Sequence, residues 1–455
     1  MAKMIEKRVP MHPPAYEWLR AYGMNRREFI RLSTLAAAGF LIGCATNPVT
    51  GRSQLMLMSE QEEIQIDRQN SPYQISSDYG ITQDLSLEAY VDQVGQRLAA
   101  VSHRPRMPYR FNVVNATYIN AYAFPGGTIS ATRGILLKLN DEAELASLLG
   151  HELGHVNARH TAHQMSQAML TQTLVGGAAA IVGTQGSTLG DLTAQLGGIG
   201  AGALLASYSR DNEREADDLG LRYMAAAGYA PQGFVELMEM LRSLNTQNPN
   251  AVQTLFATHP MSDERYQTAV KAVRTRYAQD TGALYRERYM DQTAGLRRIQ
   301  GAIQAMQNGE KEMGRENFDG AAAQFQQALR MAPQDYAANL MMAKCRYAQK
   351  RFEEAERYAV SAQQAYPGEA QSYLVAGFAR LQTRRFNAAF RDFEGYDVRL
   401  PNNPEILFYK GYAQEGAQRQ KEAAHYYADY LKVVQQGPQA QHAYQRLVQW
   451  GYLRQ

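Results

Sequence analysis

The 455-residue sequence predicts a mainly α-helical protein, in which a helical domain with a small β-sheet precedes an α-solenoid. Three observations support this class: a 34-residue repeat after residue 300, a capped amphipathic helix that begins near residue 141, and a Pro-Gly-Gly turn before a short strand at 128–132. Hydrophobic residues at 45% and charged residues at 20% exclude wholesale disorder. Two cysteines exclude a disulfide scaffold and a cysteine-rich zinc module.

The N-terminal segment 1–43 has the pattern of a twin-arginine or lipoprotein signal peptide. An Asn-Arg-Arg-Glu sequence at 25–28 precedes an apolar run at 32–42, which is too short to span a bilayer of about 30 Å. The run ends in Leu-Ile-Gly-Cys, which resembles a lipobox and would make Cys44 the lipidated first residue of the mature protein. The alternative is a buried amphipathic helix that contains these residues by chance.

This leader also predicts where the protein resides. The residue after Cys44 is Ala45, not the Asp that commonly retains lipoproteins at the inner membrane, which favours a periplasmic protein anchored to the inner leaflet of the outer membrane. The pattern leaves twin-arginine and general secretory export both open. Because the leader holds the basic excess of the chain, general nucleic-acid binding is not indicated.

The helix that begins after Asn140 or Asp141 carries a metal-binding pattern, His-Glu-Leu-Gly-His at 151–155. Residues four apart lie on one helix face, so His151 and His155 can both reach a single tetrahedral Zn²⁺. Glu152 would lie at the flank of the metal, where its carboxylate can take a proton from a bound water. The alternative is a helix with two histidines that serve only its own structure.

A third ligand is needed to hold one zinc ion per chain and leave a fourth position for water. The segment 208–217 reads as a helix that presents Glu213 and Asp217 on one face. We expect Glu213 to bind the metal and Asp217 to accept the second N–H of a ligand histidine. Glu215 is expected to be a solvated surface acid.

Between these two helices, residues 166–207 are rich in glycine and carry a single formal charge. The segment has no apolar run long enough to cross a membrane. We interpret it as two short helices that form a flexible cover. An ordinary hairpin of small-residue helices in the core is the alternative.

The C-terminal third repeats every 34 residues. Each repeat has a small residue in its first helix, an aromatic or small residue in its second helix, and a proline where the helix pair ends. This pattern is the signature of tetratricopeptide repeats. This array, at 302–455 after a helical linker at 276–301, is predicted to bind a partner protein and to carry no chemistry. Cys345 within it is expected to be a buried free thiol.

Three separated blocks of the sequence carry a family resemblance. They are Asn-Ala-Tyr-Ala-Phe-Pro-Gly-Gly at 120–127 with Thr-Arg-Gly at 132–134, His-Glu-Leu-Gly-His at 151–155, and Ser-Arg-x-x-Glu-x-x-Ala-Asp at 209–217. In this order they resemble the zinc endopeptidase family that contains HtpX, the CAAX prenyl endopeptidase and the mitochondrial OMA protease. The resemblance implies a gluzincin-type metallopeptidase domain at 44–275, with zinc held by His151, His155 and Glu213.

The resemblance also draws attention to residues beyond the zinc ligands. The family tends to carry Thr-His-Pro after the glutamate helix, here at 258–260, which makes His259 a catalytic residue or a latch on the open zinc position. A turn-capping histidine is the alternative. Arg210 is expected to pair with a nearby carboxylate or to support the oxyanion, and His160 and His163 to lie behind the ligands or at the surface.

Together these features predict a membrane-anchored periplasmic zinc metalloendopeptidase that degrades misfolded or stalled envelope proteins during outer-membrane protein assembly. An extended substrate would add a strand beside Thr128–Thr132, so main-chain hydrogen bonds would give affinity with little sequence selectivity. The alternative is a chaperone or assembly scaffold in which the repeats hold the client and the zinc site stays largely latched.

Overall fold

The computed structural model describes residues 44–175, 207–247 and 252–454, and its architecture confirms the mainly α prediction. The predicted signal segment lies outside these ranges, as does most of the glycine-rich segment that was expected to form a cover. Within these ranges every helix is too short or too polar to cross a bilayer.

The N-terminal domain, residues 44–299 as far as they are described, combines small strands with helices of up to 18 residues. Its strands are β1 (Cys44–Thr46), β2 (Ser53–Leu55), β3 (Arg110–Val114), β4 (Ala121–Ala123) and β5 (Thr128–Thr132). Its helices are α1 (Glu60–Ser77), α2 (Leu85–Ala100), α3 (Arg133–Leu136), α4 (Glu142–Asn157), α5 (His160–Val175), α6 (Arg210–Ala226), α7 (Gln232–Gln247), α8 (Gln253–Thr258), α9 (Asp263–Thr275), α10 (Arg286–Gln292) and α11 (Ala294–Arg298).

The three-stranded sheet beside helix α4 has the order β3-β5-β4, which corrects the prediction for the substrate strand. Strand β5, Thr128–Thr132, is central, since it pairs in parallel with β3 and antiparallel with β4. The turn at 125–127 reverses the chain and brings β4 alongside β5. Both sides of β5 are therefore occupied, and a substrate strand cannot be added there.

Strands β3 and β4 form the two edges of this sheet. The outer amides of β3 are already capped by helix α2, because Phe111 donates to Asp92 and Val113 donates to Glu88. On β4, Tyr122 pairs with Ser130 of β5, and Ala121 and Ala123 alternate with it, so their amides and carbonyls face away from β5. Among the described residues β4 therefore forms an open edge, whose outer main-chain groups pair with no strand, and its buried side chains pack beside helix α4.

Helix α4 is the centre of the domain, and all of its residues are buried. Asp141 caps its start by accepting a hydrogen bond from the amide of Glu144, as one of the two predicted caps would. Glycines let helix α6 approach α4 closely: a methyl group on Gly154 would lie 2.9 Å from the carbonyl oxygen of Ala216, and one on Gly220 would lie 3.0 Å from the amide of His151. This close crossing brings the face of α6 to the two histidines of α4.

The C-terminal part is a stack of helix pairs, which confirms the predicted tetratricopeptide fold. The first helix begins at Gln300, two residues before the predicted start of the array. In three pairs the small residue of the first helix meets an aromatic ring of the second, as Gly377 meets Phe393. The helices are α12 (Gln300–Gly314), α13 (Phe318–Met331), α14 (Tyr336–Ala348), α15 (Phe352–Ala365), α16 (Gln371–Gln382), α17 (Phe386–Arg399), α18 (Pro404–Gly416), α19 (Gln420–Val433) and α20 (Pro438–Gln449).

A polar seam joins the repeats to the N-terminal domain. Arg133, after strand β5, pairs with Asp335 at the start of α14 at 2.5 Å, and both side chains are buried. Glu369, just before α16, accepts hydrogen bonds from Ser76 of α1 and from Tyr336. One apolar core also runs from the N-terminal domain through α12, α13 and α14. The first helices of the first three repeats therefore lie against the N-terminal domain.

Candidate metal centre

Four side chains converge in a buried site between helices α4 and α6. His151, His155, Glu213 and His259 each offer one ligand atom, and these atoms all lie within 4.8 Å of one another. Two histidines one turn apart on α4 supply imidazoles, and Glu213 reaches them from the first turn of α6. His259 comes from the C-terminal end of α8. The structure thus brings together all three residues that the sequence predicts as zinc ligands.

The spacing of the donor atoms fits one tetrahedral metal ion. The Nε2 atoms of His151 and His155 are 3.1 Å apart, and Glu213 oxygens lie 3.3 Å from His155 Nε2 and 3.5 Å from His151 Nε2. Bonds of 2.0–2.1 Å at tetrahedral angles separate neighbouring ligand atoms by about 3.3 Å. Two imidazole nitrogens and one carboxylate are also a donor set that catalytic zinc uses.

Electrostatics keep these groups in the protonation states that a metal needs. Burial lowers the pKa of His155 well below its usual value, so its ring is neutral and can donate a lone pair. Burial alone would raise the pKa of Glu213, but its contacts with the rings of His155 and His259 hold that pKa well below the usual range. Glu213 is therefore an anion although it is fully buried.

Glu152 lies beside this cluster and is 1% exposed. Its Oε2 atom has no hydrogen-bond partner among the described residues, and its Oε1 atom lies 3.6 Å from Nε2 of His259. Burial raises the pKa of Glu152, which the neighbouring His259 and His151 partly offset. A buried carboxylate with a free oxygen and a raised pKa is suited to accept a proton from a water and to release it again.

Asp217 holds His151 from behind, in the position that the sequence predicts for it. Its Oδ1 atom lies 3.0 Å from Nδ1 of His151, which leaves Nε2 of that ring to face the cluster. Arg265 binds both oxygens of Asp217 at 2.7 Å and also reaches Glu213 at 2.6 Å. Burial raises the pKa of Asp217, but Arg265 and His151 outweigh burial and lower it.

The arginine that contacts these side chains is Arg265, whereas Arg210, which the sequence suggested, lies at the surface. Arg210 is the first residue of α6 and is exposed, whereas Glu213, one turn later, faces the interior. Arg265 lies in the first turn of α9, which Ser262 caps, 48 positions after Asp217. No local spacing in the sequence links two residues so far apart, and only the packing of α9 on α6 reveals the pair.

His155 is held from behind by His160, one of the two positions expected for that residue, and then by Glu215, which was expected at the surface. Its Nδ1 atom lies 2.9 Å from Nδ1 of His160, and Nε2 of His160 lies 3.1 Å from Glu215. Glu215 is therefore not a solvated surface acid, because the start of α5 folds back over it. Tyr208 also stacks on the ring of His155, with centroids 3.8 Å apart. His163, by contrast, is half-buried and outside the cluster.

His259 occupies the remaining side of the cluster. Its Nδ1 atom lies 3.1 Å from Glu213 and 3.3 Å from Nε2 of His151. Burial alone would lower its pKa, but the Glu152 and Glu213 carboxylates outweigh burial and raise it. The ring thus sits where a fourth ligand or a water would sit.

Comparison with known proteins shows which proteins this chain resembles. Residues 86–273 match the model of peptidase family M48, and residues 312–376 match a tetratricopeptide repeat model. A protein of Yersinia pestis named beta-barrel assembly-enhancing protease is 34% identical over 190 residues, which cover 41% of this chain and 39% of that protein. Metalloprotease YcaL of Escherichia coli K12 is 36% identical over 160 residues, or 35% of this chain and 60% of that one.

The chain thus spans less than two thirds of the length of these relatives. Among solved structures, the type IV pilus biogenesis factor PilW covers 50% of this chain and 96% of its own, at 17% identity. The TM-score of this match is 0.32.

Proposed function

We propose that this chain is a periplasmic zinc metalloendopeptidase that degrades misfolded or stalled envelope proteins, a proposal supported by the match of residues 86–273 to the model of peptidase family M48. The single observation that carries the proposal is the convergence of His151, His155 and Glu213, with the free oxygen of Glu152 beside them. The ligands for a zinc ion and a general base thus lie next to each other, as zinc-dependent peptide hydrolysis requires.

In the proposed reaction, His151, His155 and Glu213 would hold a zinc ion that polarises the scissile carbonyl and acidifies a water. Glu152 accepts the proton of the attacking water and passes it to the leaving amine. Asp217 and His160 orient the two ligand rings, and Arg265 offsets the charge of Glu213. An extended substrate would pair with the open edge of β4, so main-chain hydrogen bonds would contribute much of the affinity.

His259 is the proposed latch of this site. Its ring contacts Glu213 and His151 at 3.1 and 3.3 Å, so it can take the fourth metal position until a substrate enters. The competing role is a hydrogen bond from the same ring to the tetrahedral intermediate, and its 3.6 Å distance from Glu152 is compatible with that. The rate of a His259 variant separates the two roles.

The envelope location rests on the leader and on the names of the relatives. The Yersinia pestis relative is named for beta-barrel assembly, and the leader pattern supports export to the same envelope. We propose that Cys44 carries the lipid anchor. Replacing it, as Cys44→Ala, should move the protein from the membrane to the soluble fraction of the periplasm, which fractionation and blotting will measure.

The peptidase proposal is tested with Glu152→Gln in the full chain. The variant keeps the size of the side chain and all metal ligands, so we expect one zinc per chain and cleavage of casein at least about 100-fold slower than wild type. Metal content by mass spectrometry and fragment release by electrophoresis measure the two quantities. Wild-type rates from a zinc-loaded variant would show that Glu152 is not the base.

A second function, an assembly scaffold with a mostly latched site, is favoured by the position of His259. A repeat array that packs on the peptidase domain could present a client to it or simply hold the client. Complementation of an envelope-assembly defect by Glu152→Gln separates these two functions. Full rescue favours the scaffold, whereas failure to rescue with normal protein levels favours proteolysis.

A further inference from the structure

Strand β4 is tied to the end of helix α1 through one buried carboxylate, that of Asp78. This residue directly follows α1 and is 4% exposed. Its Oδ2 atom accepts a hydrogen bond from the hydroxyl of Tyr122, the central residue of β4, and its Oδ1 atom accepts one from Tyr118, each at 2.7 Å. The same carboxylate therefore holds both the strand and the segment that leads into it.

The first helix of the repeats also holds this segment. Glu310 of α12 accepts a hydrogen bond from the hydroxyl of Thr117 at 2.5 Å, and Gln307 donates to the carbonyl oxygen of Thr117 at 2.6 Å. Glu310 also accepts a hydrogen bond from the hydroxyl of Tyr79, and Nζ of Lys344 on α14 lies 5.0 Å from the centre of the Tyr79 ring. Two helices of the array thus contact the chain neighbours of the side chains that hold β4.

Strand β4 needs such anchors because it is three residues long and is paired on one side. It bonds to β5 through one set of main-chain groups, and the proposed substrate takes the other set. Ala121 and Ala123 have side chains that cannot form hydrogen bonds, so Tyr122 is the polar anchor of the strand. If the strand is in the substrate-ready position only part of the time, the apparent affinity for substrate falls in proportion.

Resting on the proposed pairing of substrate with β4, we infer that Asp78 and Glu310 are positioning residues that hold this strand ready for the substrate. Both carboxylates act through the strand and its lead-in segment rather than on the reacting atoms. Their loss should therefore raise KM and leave kcat unchanged. The repeat array is then a part of the substrate-binding surface and not only a separate binding platform.

The kinetics of cleavage of fluorescein-labelled casein by the zinc-loaded full-length protein test this inference. Glu310→Ala removes the acceptor on the repeats, and we expect KM to rise about 5–10-fold while kcat stays within about twofold. Glu310→Gln keeps one acceptor oxygen and should recover part of the affinity. Glu353→Gln, at an exposed acid of α15, is the control and should match wild type.

Tyr122→Phe tests the other carboxylate with little change of size, because it removes only the hydroxyl that Asp78 accepts. Its KM should rise by a similar factor, and amide hydrogen exchange across residues 120–124 should become about fivefold faster or more. Tyr427→Phe is the matched control, since it removes a buried hydroxyl that donates to Glu415 in the last repeat at 2.6 Å.

Unchanged KM in folded Glu310→Ala and Tyr122→Phe would overturn the positioning role and leave the peptidase function intact. A lower kcat at unchanged KM would also overturn it, because the two carboxylates would then affect the chemical step. Absence of cleavage by zinc-loaded wild type would instead overturn the peptidase function, and the positioning role with it.

Discussion

The Nε2 atom of His160 lies 3.1 Å from the Oε2 atom of Glu215. The other nitrogen of the same ring lies 2.9 Å from Nδ1 of His155. Glu215, His160 and His155 therefore form a line of contacts that ends at the candidate metal site. If His155 binds metal through Nε2, its Nδ1 carries the proton and donates it to His160, which in turn donates to Glu215. Glu215 therefore fixes the tautomer of a ring that it does not touch.

Breaking this line should weaken metal binding. We expect Glu215→Gln and His160→Ala each to loosen zinc by about 10-fold or more, as loss of partners behind metal ligands commonly does. Competition with a chromophoric chelator measures the affinity directly. Asp211→Asn is the control, because Asp211 lies on the same helix but is exposed. Equal affinities in all four proteins would show that His155 needs no partner.

His259→Ala tests the latch. If the ring occupies the fourth metal position at rest, its removal should increase casein cleavage severalfold, because the site no longer has to open before a substrate enters. A decrease in the rate at full zinc content would instead assign His259 to the transition state. His163→Ala serves as control, since this histidine lies outside the cluster.

The ion pair of Arg133 and Asp335 should strongly stabilise the contact between the N-terminal domain and the repeats. Removing one partner of a buried pair leaves a charge without compensation, and we expect Arg133→Met to reduce the free energy of unfolding by about 3–5 kcal/mol. Adding Asp335→Asn should restore part of this loss, because Asn removes the charge and can still cap α14. Denaturant titration measures both variants. A loss below about 1 kcal/mol for Arg133→Met would indicate that the pair is solvated.

The stability of the sheet edge should depend on pH through Glu88. Burial raises the pKa of Glu88 to about 7, although its hydrogen bond from the amide of Val113 opposes this shift. The folded state therefore binds more protons than the unfolded state between about pH 4.5 and 7, and stability falls as the pH rises through this range.

Glu88→Gln keeps an acceptor for Val113 and removes this titration. The melting temperature of the variant minus that of wild type should be larger at pH 8 than at pH 5. The increase should be about 2–4 °C for each kcal/mol of stability that wild type loses over this range. Glu353→Gln, at an exposed acid of α15, should show no such trend. A constant difference for Glu88→Gln would mean that Glu88 titrates normally.

The sequence predicts those parts of the structure that depend on local spacing. His151 and His155 are one turn apart, so any helix places them together, and a 34-residue period requires stacked helix pairs. Glu213 was found because it shares a helix face with Asp217. These features need no knowledge of how distant segments pack.

Features that depend on distant packing were missed. Arg265 meets Asp217 only because α9 packs on α6, and Glu215 meets His160 only because α5 folds back after α4. The same reason explains why Thr128–Thr132 was wrongly expected to pair with the substrate. The sequence of a short strand indicates how long the strand is, but not which strands lie beside it. Each miss is a pairing between segments whose contact no periodicity encodes.

The seam between the repeats and the catalytic half limits how this architecture can be divided. Severing the chain ahead of Gln300 would uncover apolar core that α12 now shields and would leave Arg133 without Asp335. Each fragment would expose apolar side chains to water unless these were replaced by polar ones. Recombination between related chains that exchanged one array for another would therefore have to transfer the matching residues of α1 and α3 as well.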